Sequence, residues 1–231
     1  MFIYRKIKTF SNRIINLQKS YISKQKLSYN DLRAFGEKFA TSEKALIIYI
    51  EFPYEDLLPN VDVLPHYEND CERYYPLLAE IQDENYSTVI ATGLLEHLKN
   101  PERLLKECYR ILQPRGKVYI SASSTFSVHR GPDDYFHVTQ FGMNELISSQ
   151  NWSEVDIRGS CGPFKTIGIL LQRILLQCET RYFIRPFVEF LAYTIPLLDR
   201  FIINQYYDRS FSEKSWIDSM MPSNIQLIAT K

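Results

Sequence analysis

Three of the chain's four histidines stand beside carboxylates: His97 follows Glu96, and His129 and His137 flank Asp133 and Asp134 in SVHRGPDDYFHVT. An imidazole titrates near neutrality, so it can take a proton from a hydroxyl at physiological pH. The chemistry open to His129, Asp134 and His137 is therefore orientation of a substrate or removal of a proton from an acceptor hydroxyl. The plainer alternative is an ordered surface loop whose Asp side chains hold its turns. Glu96 and His97 carry a similar alternative, a capped loop in which the ring is hydrogen-bonded to backbone. His129, Asp133, Asp134 and His137 are ligand types for Zn²⁺ or Mn²⁺. They lie in one short loop without a helical i, i+4 pair, so the sequence predicts no metal site. No nucleophile elbow, phosphate-binding loop or CxxC pair is present.

The elements that must position these residues can be read around them. Thr88 to Ala91 (TVIA) is a short β-branched run that suits a strand buried on both faces. Asn100 is a good N-cap, Pro101 fits the first helical position, and Glu102 adds charge of the right sign. Leu104, Leu105, Cys108, Ile111 and Leu112 recur at helical spacing, and Pro114 and Gly116 stop the helix. Lys117 to Ala122 (KVYISA) is the next strand. Strand, helix and strand make a βαβ unit, which predicts parallel strands and a right-handed crossover. Ligands of open α/β sheets bind outside the carboxyl ends of the strands. One such loop holds Thr92, Gly93, Glu96 and His97. The other holds Ser123, Ser124, His129, Arg130, Asp133, Asp134, Tyr135 and His137. Topology alone sends three histidines to one edge.

The 231 residues predict one α/β domain with appended elements. Lys and Arg number 27, as do Asp and Glu, so overall charge implies no acidic partner and no nucleic acid is expected. Residues 1–30 hold seven Lys/Arg and no acid. They predict a basic N-terminal helix, either packed on residues 31–231 or lying on an anionic membrane surface. A transit peptide is also compatible, and no long apolar run follows the first charges, so no secretory signal is expected. Ala45 to Phe52 (ALIIYIEF) is a strong buried strand, Val61 to Leu64 a shorter one, and Glu72 to Ile81 a candidate helix. Residues 164–205 are far more apolar than the rest. Arg173, Glu179, Arg181, Arg185, Glu189 and Asp199 interrupt them too often for a membrane span. Two amphipathic helices parted near Glu179–Pro186 fit better, as a cover, a lid, a dimer contact or a membrane-surface hairpin. Asn224 to Lys231 (NIQLIATK) reads as a closing antiparallel strand at the sheet edge. Four scattered cysteines read as free thiols of a reducing compartment, which predicts a cytoplasmic protein.

The stretch YSTVIATGLLEHLKNPERLLKECYRILQPRGKVYIS resembles the class I S-adenosylmethionine-dependent methyltransferases, specifically the type 11 group. Leu95-Glu96-His97-Leu98, Pro101, Leu104-Leu105, Glu107, Arg110-Ile111-Leu112 and Pro114 match that family's pattern. GPDDYFHVTQFGMNEL resembles the family's segment after its fifth strand, and NIQLIATK its closing strand. The resemblance implies a Rossmann-like, mostly parallel sheet with helices on both faces, an antiparallel C-terminal edge strand and a helical C-terminal insertion. It implies S-adenosylmethionine as cofactor, with Thr92, Gly93, Leu94, Glu96 and His97 on the cofactor side. It also implies methyl transfer to an oxygen or nitrogen of a small-molecule or glycan-type acceptor.

The family's first strand normally ends in a glycine-rich loop, and this chain has none there. Two registers are open. In one, ALIIYIEFP is the first strand and FPYED replaces the glycine loop. In the other, which the spacing of IYIEFPYEDLLPNVDV favours, LIIYIE is the second strand and Glu51 holds the ribose hydroxyls. Gln113-Pro114-Arg115-Gly116 replaces the usual double-glycine turn, and His137 stands where the family often has Arg. The alternative function is a methyltransferase-like module that binds without catalysing, peripheral to a membrane or free of it.

Overall fold

The computed structural model describes residues 44–49, 60–67, 69–208 and 215–231. The N-terminal basic segment and Glu51 lie outside the described residues. The sheet contains β1 (Ala45–Tyr49), β2 (Val61–Val63), β3 (Tyr86–Thr92), β4 (Leu112–Ser123), β5 (Glu154–Ser160) and β8 (Asn224–Thr230). A small hairpin is formed by β6 (Tyr206–Asp208) and β7 (Ser215–Trp216). The described helices are α1 (Tyr74–Ala79), α2 (Pro101–Ile111), α3 (Gln140–Ile147), α4 (Pro163–Gln177) and α5 (Arg185–Thr194).

Strand order is β2-β1-β3-β4-β8-β5. The first four strands are parallel, and β8 is antiparallel to both β4 and β5. This is the mixed, mostly parallel sheet that the sequence predicts. The closing strand is antiparallel as expected but is not the sheet edge: β8 lies between β4 and β5, and β5 forms the edge. Its EVDIRGS sequence is polar and mostly half-exposed or exposed, so it has no apolar run to announce it.

The βαβ unit forms as its residues dictate. Every residue of β3 is buried, in keeping with a parallel strand covered on both faces. Asn100 caps α2 by accepting the Arg103 N–H, and Leu104, Leu105, Cys108 and Ile111 turn one face fully into the core. Each such side chain contributes about 1.5–3 kcal/mol through burial. Arg110, on the other side of α2, donates to the carbonyls of Leu78 and Ile81 and to Glu107 and Asp83, all within 2.9 Å. It ties α2 to the end of α1.

The chain runs from β1 outward to β2, then crosses back past β1 to β3. Winding therefore reverses between β1 and β3, which makes the crevice beyond their carboxyl ends the topological switch point. Ala45–Tyr49 thus occupies the first-strand position. The register that spacing favoured, with this strand second, gives way because the crossover to β3 passes on the side of β1 away from β2. Residues 50–56 then stand in sequence where a glycine-rich loop would follow the first strand.

The apolar C-terminal segment folds as two helices parted near residues 178–184, as expected, and a 3-10 turn over Ile195–Phe201 follows. Gly162 has no side chain to cap α4. The Asp199 carboxylate does so instead, accepting the N–H groups of Phe164 and Lys165 at 2.9 Å each. Among the described residues no helix is long and apolar enough to cross a membrane.

Candidate active site

β3 ends at Thr92, and Gly93 follows with φ of 66°, a left-handed conformation that glycine adopts without steric cost. Its N–H donates to the Ser121 carbonyl on β4, 2.9 Å away. Thr92 is buried, Gly93 half-buried, and Leu94 is fully buried in the core. The next residues, Leu95–His97, make one turn of 3-10 helix. That turn carries Glu96 and His97 away from the switch point toward the loop that follows β4.

The two loops are sewn together. Glu96 Oε1 accepts the Ser123 N–H at 3.1 Å and the Ser123 hydroxyl at 2.8 Å. The Glu96 carbonyl accepts the N–H groups of Tyr135 and Phe136. His97 Nδ1 lies 2.6 Å from the Asp133 carbonyl. A carbonyl only accepts, so Nδ1 carries the proton and Nε2 is left as a bare lone pair. Nε2 is buried and has no hydrogen-bond partner among the described residues.

His129 packs edge-on against His97, ring centroids 4.9 Å apart, and lies 6.3 Å from the His137 ring. Its Nδ1 lies 3.1 Å from the Ser127 carbonyl, which fixes the same tautomer. Asp134, with a side chain only 3% exposed, stands between the last two rings. Its Oδ2 accepts the His129 N–H at 2.8 Å and is 3.4 Å from His129 Nδ1. Its Oδ1 is 3.3 Å from His137 Nε2. The three histidines that topology sends to one edge do meet there. Glu96 and His97, expected on the cofactor side, sit with this cluster, while Thr92 and Gly93 remain at the switch point.

Burial pushes the His97 imidazole below its ordinary value, and the positive Arg130 acts in the same direction; the Asp133 carbonyl opposes them. The ring is therefore neutral at physiological pH. Two further features lie beyond what motif reading supplies. Arg130 has φ of 51° and reaches back to the Tyr67 carbonyl. Helix α4 holds the histidine loop from outside: Arg173 Nε donates to Ser127 Oγ at 2.8 Å, and Gln177 to the Val128 carbonyl at 2.7 Å. Arg173 also stacks over Phe126, whose ring abuts His129. The apolar insertion thus positions the site loop, and its only sequence signal was two polar residues one helical turn apart on an apolar helix.

The sheet order and the flanking helices are those of the class I, Rossmann-like methyltransferase fold. Residues 58–120 match the family described as "Methyltransferase domain", of type 11. The fold is similar to that of a SAM-dependent methyltransferase from Archaeoglobus fulgidus, with a TM-score of 0.50 and 15% identity, covering 87% of this chain and 92% of that one. It is also similar to an S-adenosylmethionine-dependent methyltransferase from Mesorhizobium loti, with a TM-score of 0.50 and 10% identity, covering 90% and 99%. Over 58 residues the chain is 33% identical to a ubiquinone biosynthesis O-methyltransferase from Pseudomonas savastanoi pv. phaseolicola. That match spans 25% of this chain and 23% of the relative's length.

Proposed function

We propose that the protein transfers a methyl group from S-adenosylmethionine to an oxygen or nitrogen of a small-molecule or glycan-type acceptor. The observation that carries this reading is a division of labour along one sheet edge. A half-exposed glycine in a left-handed turn lies at the switch point, and a histidine–carboxylate cluster lies one loop further on. The methyltransferase-domain match and the O-methyltransferase relative support the same reaction class.

When bound, the cofactor supplies an electrophilic methyl group on a positively charged sulfur. On the described side the residues fit it: Gly93 offers backbone without a Cβ, so a flat ring can approach closely. Thr92, buried at the end of β3, is the candidate side wall, and Leu94 backs the turn from the core. With β1 in the first-strand position, Glu51 falls in the segment that takes the place of the glycine-rich loop, so the ribose contact read for it from the other register is not carried over. His137 is the most exposed ring of the cluster, with 26% of its side chain accessible, and is the candidate acceptor of the nucleophile's proton. Asp134 stands where its charge attracts the proton-bearing ring, and it anchors the His129 backbone. Alignment of donor and nucleophile at near-attack distance supplies the rest of the rate.

Calorimetric titration with S-adenosylmethionine and S-adenosylhomocysteine tests the reading. Saturable micromolar binding is expected, weakened by Gly93→Asn, which tolerates the left-handed turn but adds a side chain. No heat up to millimolar ligand, about −4 kcal/mol, would leave a methyltransferase-like binding module instead.

A peripheral membrane contact is a second element of the proposal. Phe183, Phe187, Phe190 and Phe201 are each more than half exposed on and around α5. Phe183, Phe187 and Phe190 are spaced four and three residues apart, at helical-turn spacing, and an exposed apolar patch is uncommon without a partner. Co-sedimentation with liposomes, lost on Phe187→Ser/Phe190→Ser, is the expected result; no sedimentation of the parent protein would remove this element.

A further inference from the structure

From its loop alone, the histidine-rich segment lacks the rigid ligand pair a metal needs. The fold supplies what the loop lacks. The turn after β3 brings Glu96 and His97 against His129, and one ligand atom from each of these three lies within 4.8 Å of the other two. Glu96 and His97 are each 1% exposed.

We infer that Glu96, His97 and His129 form a binding site for a divalent transition-metal cation, with Zn²⁺ the best-suited occupant. Three observations carry it. First, both rings hold their Nδ1 proton on a main-chain carbonyl, His97 on Asp133 at 2.6 Å and His129 on Ser127 at 3.1 Å. That is the outer-shell arrangement that orients metal-binding histidines, and it leaves Nε2 of each ring as the coordinating atom. Second, the His97 Nε2 lone pair is buried and faces no donor among the described residues, a costly state unless something electrophilic or a proton donor occupies the space. Third, Glu96 is held by two donors from Ser123, so the carboxylate is oriented as second-shell contacts orient metal-bound carboxylates.

Two imidazoles and a carboxylate make a three-ligand set that leaves a coordination position open. Imidazole suits Zn²⁺, Fe²⁺ and related ions, whereas Mg²⁺ and Ca²⁺ prefer all-oxygen sites. A second trio, His129, Asp134 and His137, also lies within 4.8 Å. The first is the one assigned, because His137 is partly exposed and neither of its ring nitrogens is held by a carbonyl among the bonds described. Asp134 and His137 then remain free for the proton, as proposed above.

The test uses the full chain after treatment with EDTA. Zn²⁺ is titrated by calorimetry and counted by mass spectrometry after desalting, and Co²⁺ is added as a visible-absorption probe. One equivalent of Zn²⁺ and a Co²⁺ spectrum with nitrogen ligation are expected. His97→Gln and His129→Gln should each weaken binding at least about 100-fold, and Ser123→Ala, a gentler change, about 10-fold. His137→Gln should leave stoichiometry unchanged. Circular dichroism checks that each variant is folded. The ¹⁵N resonance of His97 Nε2 should move on Zn²⁺ addition in the unmutated protein. No stoichiometric binding, a stationary Nε2 resonance that marks a bound water only, or binding lost in His137→Gln and kept in His97→Gln would each overturn the assignment. S-adenosylhomocysteine affinity, measured on the metal-free sample, reports the methyltransferase reading separately.

Discussion

His97 donates its Nδ1 proton to the main-chain carbonyl of Asp133 across 2.6 Å, and that bond joins the turn after β3 to the loop after β4. It fixes the tautomer of a ring that burial also keeps neutral.

The pH dependence of stability follows from that ring. Burial holds the folded-state value below the ordinary 6.5. Between the two values the unfolded chain binds the extra proton and the folded chain does not, so stability falls as pH drops below 6.5. One proton gives a slope of at most about 1.4 kcal/mol per pH unit. Urea midpoints measured from about pH 8 down to about pH 5 should show this loss, and His97→Gln should flatten it.

Asp134 gives a kinetic prediction. Asp134→Asn keeps an oxygen to accept the His129 N–H at 2.8 Å but removes the charge between His129 and His137. With an acceptor in hand, the turnover rate should fall by about 10²-fold or more, while S-adenosylhomocysteine affinity is unchanged. An equal loss of cofactor affinity would place Asp134 on the other side of the site.

Arg115 sits at φ of 67° in the irregular first part of β4, where the family pattern has glycine. A side chain in that conformation costs about 1–2 kcal/mol, and glycine would return part of it as unfolded-chain entropy. Arg115→Gly should therefore raise stability by about 0.5–1 kcal/mol in a denaturant melt.

The cap on α4 comes from 37 positions downstream of Gly162, as the Asp199 number shows. Asp199→Ala strands the N–H groups of Phe164 and Lys165 and should cost about 1–2 kcal/mol. Gly162→Ala should cost a similar amount, because a Cβ there would lie 2.6 Å from the Asp199 carboxylate. Thermal unfolding of both variants checks the pair.

Thiol reactivity should follow burial. Cys178 is exposed and Cys108 is fully buried on α2, where desolvation pushes its thiol far up. An aromatic disulfide reagent should modify Cys178 first in the native protein and Cys108 only after unfolding.

Local rules carried the reading from Thr88 to Ile147. Asn100 caps a helix because its side chain can reach the N–H three residues on, and that contact needs no distant partner. The convergence of His97, His129 and His137 was legible too, since parallel strands put their following loops at one edge. What escaped was non-local. The register of Ala45–Tyr49 depends on which side of it β3 returns, and no spacing within the segment records that. Strand β5 is held by the backbone of β8, 64 positions away at Ser160 and Asn224, and its own residues are too polar to advertise it. Arg173 and Gln177 hold the site loop by contacts over more than forty residues.

The place of β8 between β4 and β5 bears on how the chain folds. The outer edge of β4 stays unpaired until residues 224–230 have been made, and β5, though synthesised earlier, has no partner before then. The parallel half can assemble from local βαβ contacts while the antiparallel half waits for ligation at long sequence separation, which is slow. A nascent chain halted before residue 224 would present the β4 edge to other chains, a template for aggregation that the finished molecule does not offer.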